Sequence, residues 1–218
     1  MFYVIGKPKR VEQLKTLPRN NHNKRETVPI CIIDDEPFPY TDLLRKHDFN
    51  IKEIGNISDI KSVEYYPIVL CDIRGVGAAF GSRFEGGHVI EEIKRYYPYK
   101  IVFAYSAHQM DASFQRFFQL CDFSIKKDID TDEWVELLHN AVELVLDPVK
   151  QWGRLRKALL AVDVNSIDLV YIEDQYTNKF LNPSKEFPEA ALADRLQEDV
   201  KQLVLRFASS SIFKMIFG

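Results

Sequence analysis

Between Val28 and Leu146, short runs rich in β-branched and aromatic residues alternate with stretches of helical periodicity. The runs predict five strands, at residues 28–34, 50–55, 66–72, 100–106 and 122–126. The stretches around them predict five helices, which end near residue 47, span about 58–63, 87–97 and 111–120, and begin at residue 131. Alternation of this kind is typical of βαβ units, whose strands run parallel. The sequence therefore predicts an α/β fold with a five-stranded, doubly wound parallel sheet.

A proline marks the end of this alternating segment. Helices usually end at or before the residue that precedes a proline, so Pro148 predicts a boundary. Beyond it, two amphipathic stripes, over residues 149–159 and 192–207, predict helices. Their apolar faces must pack on the sheet domain, on each other or on a second chain. We therefore predict three segments: a basic, solvated N-terminal leader (1–27), the α/β domain (28–147) and an α-helical C-terminal extension (148–218).

Charge is distributed unevenly along the chain. Residues 1–29 carry seven Lys or Arg against two acids, residues 30–147 carry twelve against twenty-one, and residues 148–218 carry ten against nine. The extension therefore lacks the concentrated basic face that contacts with DNA phosphates require. No apolar run approaches the roughly 18 to 20 residues that span a membrane. The N-terminus also lacks the features of a signal peptide, so we expect a cytoplasmic protein with no membrane span.

Polar residues stand where the predicted strands end. Asp34 and Asp35 end the first strand and Asp72 the third, while Ser106 ends the fourth and Lys126 the fifth. The carboxyl ends of parallel strands meet at one edge of a doubly wound sheet, so these residues are expected to converge. Carboxylates brought together need a cation, and oxygen ligands of this kind suit Mg²⁺. The Ser106 hydroxyl and the Lys126 ammonium group beside the carboxylates would supply a hydrogen-bond donor and a positive charge for a phosphoryl group. The set indicates an aspartate that accepts a phosphoryl group.

In these features the chain resembles the receiver domain of bacterial two-component response regulators. The resemblance rests on four segments and covers residues 28–147: ICIIDDEP for the acidic pair, IVLCD for the phosphoacceptor strand, VFAYSA for the hydroxyl strand and DFSIK for the lysine strand. It implies a flavodoxin-like receiver fold in which Asp72 is the phosphorylated nucleophile. It further implies that Asp35 binds Mg²⁺ directly, that Asp34 binds it mainly through water, and that the main-chain carbonyl of Arg74 is a further ligand.

The resemblance also implies three roles around the phosphoryl group and shows two departures. Ser106 would bond a phosphoryl oxygen, Lys126 would pair with the group, and Phe123 matches the switch aromatic of the family. Lys127 stands where the family usually has a proline in a cis peptide bond, so we expect a trans bond here. The loop over residues 73–87 is longer than the family's loop and is either a partner surface or lid, or a tolerated insertion.

Two enzymatic interpretations of these residues are disfavoured. The glycines at positions 75, 77 and 81 approach a dinucleotide fingerprint, but no predicted helix opens within them. A phosphatase with a phospho-aspartate would have its nucleophile and general acid two residues apart on the first strand, whereas Asp34 and Asp35 are adjacent. The chain is therefore not expected to be an enzyme beyond self-catalysed phosphotransfer and dephosphorylation.

The resulting hypothesis is a phosphorylation-controlled signalling switch. It would receive its phosphoryl group from a sensor histidine kinase or a phosphotransfer protein and signal through contact with a downstream protein partner or through a homodimer. A receiver-like interaction module that works without phosphorylation is the first alternative. A DNA-binding regulator that acts through the C-terminal helices is the second, although DNA is not the expected partner.

Overall fold

The computed structural model describes residues 7–16, 24–106 and 112–217, which belong to two compact units. The sheet unit lies within residues 22–145. The helical unit combines the N-terminal residues up to 21 with residues 146–218. No helix in the described ranges is long and apolar enough to cross a membrane.

The sheet unit contains five parallel strands in the order β2-β1-β3-β4-β5. This is the flavodoxin-like order, and it confirms the predicted fold class. Every residue of β1, β3 and β4 is buried, so both faces of these central strands are covered and long runs of Val, Ile and Leu are stable there. The strands are Pro29–Ile33 (β1), Asn50–Glu53 (β2), Ile68–Asp72 (β3), Ile101–Ser106 (β4) and Phe123–Lys126 (β5).

The helices of the sheet unit follow the predicted order with two differences in length. The segment at 58–63 forms only a 3-10 helix, and of the helix predicted over 111–120 a 3-10 turn and one short α-helix are observed, with residue 111 outside the described ranges. Asp130 caps the last helix, since its Oδ1 accepts the Glu133 N–H at 2.9 Å. The α-helices are Thr41–Lys46 (α1), Glu85–Tyr96 (α2), Gln115–Phe118 (α3) and Thr131–Leu146 (α4), and the 3-10 helices are Ile60–Val63, Ala78–Phe80 and Ala112–Phe114.

The helical unit packs around a cluster of aromatic rings. Tyr176 is at its centre, with ring centroids 5.3 Å from Trp152 and 5.0 Å from Phe217, and its hydroxyl donates to the Pro148 carbonyl at 2.6 Å. The two predicted stripes pack within this unit, and the second is divided between two helices near residue 196. The helices are Pro148–Ala161 (α5), Ser166–Leu181 (α6), Glu189–Arg195 (α7), Glu198–Ser209 (α8) and Ser211–Phe217 (α9).

The described part of the N-terminal segment is packed, which differs from the solvated leader that we predicted. Residues Val11–Thr16 form a 3-10 helix against α5 and α6 that buries Val11 and Leu14. The carboxylates of α6 hold its main chain: Glu173 Oε1 accepts the Val11 N–H at 3.1 Å, and Asp174 Oδ1 accepts the Lys9 N–H at 2.7 Å. The basic composition of the segment concealed these contacts, because two apolar residues are too few to produce a periodic pattern.

Lys100 is a fully buried cation at the N-terminal side of β4. Its Nζ donates to the carbonyls of Val63, Glu64 and Tyr66 at 2.9, 2.8 and 2.7 Å, and so binds the end of the 3-10 helix that precedes β3. Burial lowers the pKa of Lys100 to about 8. The side chain supplies a donor to the Glu64 and Tyr66 carbonyls and a further donor to the Val63 carbonyl, which also accepts the Tyr66 N–H at 3.0 Å.

We predict that Lys100→Met lowers the free energy of unfolding by about 3 kcal/mol at pH 7, because it removes the three charge-assisted hydrogen bonds that the ammonium group donates to these carbonyls. The exposed Lys61, on the same 3-10 helix, provides the control: Lys61→Met should change stability by less than about 0.5 kcal/mol. The unfolded chain binds the Lys100 proton more tightly than the folded chain, so wild type should gain stability over Lys100→Met as the pH rises above about 8. Urea denaturation at several pH values measures both effects, and equal losses for the two variants would contradict the assignment.

Candidate functional site

Three carboxylates meet at the carboxyl edge of the sheet, as the sequence predicts. Asp72 ends β3, and the pairing of Ile33 with Cys71 places Asp34 alongside it. Asp34 and Asp72 are buried, Asp35 is exposed, and each offers an oxygen atom within 4.8 Å of the others. Removing like charges from water at such close range is unfavourable without a compensating cation.

The compensating cation is Lys127. Its Nζ lies 2.6 Å from Asp72 Oδ2 and 3.0 Å from Asp34 Oδ2, and it therefore bridges the two buried carboxylates. The prediction that Lys126 occupies this position is wrong by one residue, because Lys126 is exposed.

Strand geometry explains the difference between the two lysines. Ile125 pairs with Tyr105 across β4 and β5, and Lys126 pairs with Ser106. Side chains alternate between the two faces of a sheet, so Lys127 shares the face of Ile125 and Tyr105, whereas Lys126 lies on the other face. The Lys127 N–H continues the pairing by donating to the Ser106 carbonyl at 2.9 Å. The sequence places two lysines at the strand end but does not reveal which of them shares a face with the carboxylates.

Tyr105 is a site residue that the sequence did not identify. Its hydroxyl donates to Asp34 Oδ2 at 2.8 Å, and its ring is packed edge-on against Phe38 and Trp134. Burial raises the pKa of Tyr105, and the Asp34 carboxylate raises it further, so the phenol remains a hydrogen-bond donor. Within an apolar strand Tyr105 is indistinguishable from a core aromatic. Its pairing with Asp72 across β3 and β4 becomes visible only once the register is known.

The protonation equilibria follow from this arrangement. Burial raises the pKa of Asp72, and hydrogen bonds from Lys127 and from the Arg74 N–H oppose that shift. Burial lowers the pKa of Lys127, but its bonds to Asp72 and Asp34 outweigh this, and the net shift is upward. Lys127 is therefore charged at neutral pH. Three carboxyl side chains and one ammonium group have a formal charge of −2 together, which favours a divalent cation.

Of the remaining predicted residues, Ser106 shares the sheet face of Lys126 and not that of Asp72, so its expected convergence with the carboxylates is not observed. Ser106 is buried at the end of β4, on the face opposite Tyr105 by register, and Phe123 stacks on Phe103 with ring centroids 4.4 Å apart. The Arg74 N–H donates to Asp72 Oδ1 at 3.2 Å, while the role of its carbonyl as a ligand stays a prediction. The peptide bond between residues 126 and 127 is trans, as expected. The roles of Ser106 and Phe123 in a phosphoryl response also stay predictions.

The long loop after β3 approaches the carboxylates closely. Gly75 has a φ of 76°, and a Cβ at this position would lie 2.5 Å from Asp35 Oδ1. Its N–H donates to Glu85 Oε2 at 2.9 Å, which fixes the loop to the start of α2. Gly77 and Gly81 also have positive φ and flank a 3-10 turn, and α2 begins only at Glu85. These glycines form turns and do not open a helix onto a dinucleotide.

The carboxylates fit a magnesium ion. All three side chains offer oxygen atoms, the ligand type that Mg²⁺ prefers, and Asp35 is exposed and available. Asp34 is already bound by Lys127 and Tyr105, which suits the indirect role that the sequence predicted for it. The residues that would hold the ion are therefore Asp35 and Asp72, with Asp34 behind them.

No protein-family model matches the chain, and no curated protein matches it. Among solved structures, receiver domains of response regulators resemble about half of it. A CheY-like receiver domain from Methanospirillum hungatei JF-1 is 14% identical with a TM-score of 0.43, and the match covers 53% of this chain and 94% of that one. The BeF3-activated receiver domain of Klebsiella pneumoniae RstA is 15% identical with a TM-score of 0.44, covering 52% and 97%. A response regulator from Thermotoga maritima is 18% identical with a TM-score of 0.43, covering 53% and 98%. These solved structures resemble the chain in their fold.

We predict that Lys127→Met lowers the free energy of unfolding by about 2 kcal/mol in metal-free buffer at neutral pH, because it leaves two buried carboxylates without their cation. Lys126→Met is the matched control, since it removes the same charge from the neighbouring exposed position. Urea denaturation of both variants and wild type checks the prediction. A larger loss for Lys126→Met than for Lys127→Met would contradict the observed register.

Proposed function

We propose that the chain is a phosphorylation-controlled signalling switch whose phosphoacceptor is Asp72. The observation that carries this proposal is the bridging of Asp72 and Asp34 by Lys127, at 2.6 and 3.0 Å, beside the exposed carboxylate of Asp35. A nucleophilic carboxylate, a fixed cation and a candidate metal site are the parts that phosphoryl transfer needs.

The chemistry follows from the residues around Asp72. An Asp72 oxygen attacks the phosphorus of the donor, the bond from phosphorus to the donor's leaving group breaks, and an acyl phosphate forms on the side chain. Lys127 then pairs with the phosphoryl oxygens. Its ammonium group stays in place and exchanges one anionic partner, the carboxylate, for another, the phosphoryl group. The Arg74 N–H, at 3.2 Å from Asp72 Oδ1, holds the other carboxylate oxygen. Bound Mg²⁺ would supply charge neutralisation for the transferred group.

The proposal includes the surroundings of this reaction. The phosphoryl group would come from a sensor histidine kinase or a phosphotransfer protein, and the output would be contact with a downstream protein or a second copy of the chain. Transfer onto Asp72 and hydrolysis of the acyl phosphate would be its only chemistry, which is not that of an enzyme with a separate substrate. We propose a cytoplasmic location for this activity, as expected from the sequence.

One observation favours a second candidate, a receiver-like interaction module that works without phosphorylation. Lys127 and the Tyr105 hydroxyl already satisfy Asp34, and Lys127 and the Arg74 N–H satisfy Asp72. A cluster that is hydrogen-bonded in this way is stable without a metal or a phosphoryl group. Such a module would signal from the sheet unit in its unmodified form.

Phosphorylation separates the two candidates. In the presence of Mg²⁺ and acetyl phosphate, the protein should gain one phosphate, and Asp72→Asn should gain none, because an amide is not a nucleophile of comparable strength. Asp42→Asn, at an exposed position on α1, is the control and should be modified like wild type. Intact-mass spectrometry measures the gain. An unmodified but folded wild type would favour the interaction module.

The metal ligands give an independent prediction. Asp35→Asn should reduce the Mg²⁺-dependent rise in melting temperature more than Asp34→Asn does, because Asp35 is exposed while Asp34 is bound by Lys127 and Tyr105. Melting curves with and without Mg²⁺ measure this difference, and Asp42→Asn again provides the baseline. Full retention of the Mg²⁺ effect in Asp35→Asn would show that the ion does not bind at this carboxylate.

A further inference from the structure

Three arginines and three phenylalanines form a second feature of the sheet unit, at the junction of the long loop and α3. Arg116 lies over the rings of Phe117 and Phe84, at 4.4 and 4.6 Å from their centroids. Arg83, which belongs to the long loop, also lies over the Phe84 ring, at 4.8 Å from its centroid. The arginine–phenylalanine surface, as we call it, consists of Arg74, Arg83, Arg116, Phe84, Phe114 and Phe117.

The rings under these arginines form one cluster. Phe84 contacts Phe117 at 5.2 Å and Phe114 at 6.2 Å between centroids, and Phe114 lies 6.0 Å from Phe117. Phe114 and Phe117 are buried. Guanidinium groups that lie over such rings are held in position while their N–H groups stay available to a ligand. The surface therefore presents oriented cations on a rigid apolar base.

Two of the arginines, Arg83 and Arg116, have little charge compensation. Arg83 has no carboxylate within ion-pair distance among the residues that the structure describes. Arg116 has a carboxylate oxygen of Glu91 only at 3.9 Å, too far for a hydrogen bond. Both side chains are exposed. Residues 30–147 carry twelve basic and twenty-one acidic residues, so these cations lie in a segment of opposite net charge.

Close packing fixes the arginine–phenylalanine surface to the main chain of Asp72. A Cβ on Gly86 would lie 1.9 Å from the Asp72 carbonyl oxygen, and one on Gly87 would lie 2.6 Å from the Phe117 ring. The start of α2 thus fits between Asp72 and α3, with no space for a side chain on either glycine. A partner bound at this surface would contact the elements that flank Asp72.

We propose that the arginine–phenylalanine surface is a docking site for an acidic segment of a partner protein. Arginine and aromatic residues are enriched at the centres of protein interfaces, and the stacked guanidinium groups match carboxylates in pairs of hydrogen bonds. A short acidic segment can place its carboxylates on the guanidinium groups alone, whereas the evenly spaced phosphates of a nucleic acid would extend onto neighbouring parts of a segment with net negative charge. The docking does not require phosphorylation of Asp72.

The test uses the full, unmodified chain and a fluorescein-labelled, glutamate-rich peptide, with the corresponding glutamine peptide for comparison. Fluorescence anisotropy should detect binding of the glutamate peptide at low salt, and the double variant R83Q/R116Q should weaken it about tenfold. Arg95→Gln is the control for an exposed, ring-stacked arginine elsewhere on the sheet unit: Arg95 lies over Tyr96 at 4.7 Å on the last turn of α2, where it pairs with Glu92. The affinity of the Arg95→Gln variant for the glutamate peptide should stay within about twofold of wild type.

Several results would overturn the proposal. They are the absence of peptide binding to wild type, equal affinity for the glutamine peptide, an equal loss in Arg95→Gln, and tighter binding of a single-stranded oligonucleotide than of the peptide. The variant R83K/R116K keeps both charges but not the planar groups, and less than half of the lost affinity should return with it. Full recovery with lysine would show that net charge alone is responsible and would exclude the stacked geometry as its cause. Circular dichroism establishes that each variant is folded.

Discussion

Two ionised carboxylates buried side by side at the end of a parallel sheet repel each other strongly unless a cation accompanies them. Asp34 and Asp72 are in this position because β1 and β3 are neighbours and end at the same level. Lys127 provides the cation, and the Tyr105 hydroxyl fills a further acceptor position on Asp34. The ends of β4 and β5 are therefore arranged around the charge that β1 and β3 bring together.

The fold could be predicted because it depends on patterns that extend over many residues. Buried central strands require continuous apolar runs, and the helices between them require a 3.6-residue period, so a few misplaced boundaries leave the topology unchanged. The convergence of Asp34, Asp35 and Asp72 follows from topology alone, since strand ends meet wherever parallel strands are neighbours. These residues are identified without any knowledge of register.

The assignment of Lys127 and Tyr105 to the site could not be predicted, because it depends on the strand register to within one residue. A shift of one residue moves a side chain to the other face of the sheet, and Lys126 and Lys127 differ by that one step. Neither composition nor spacing distinguishes them. The same limit applies to Tyr105, which the sequence places in a buried strand but not on the face of Asp34. The packed N-terminal segment is a different case, because its two apolar contacts, Val11 and Leu14, are too few to produce a periodic pattern.

The long loop links the acidic centre to its surroundings through backbone contacts. Gly75 approaches the Asp35 carboxylate on one side, and Gly86 contacts the carbonyl of Asp72 on the other. A side chain at Gly75 would collide with the Asp35 carboxylate, and one at Gly86 would collide with the Asp72 carbonyl, so both close approaches depend on glycine. Gly87 in turn leaves no space beside Phe117, the ring over which Arg116 is stacked. The loop and the start of α2 are thus packed against both the carboxylates and the rings beneath the arginines, and glycines occupy the positions where a side chain would keep these groups apart.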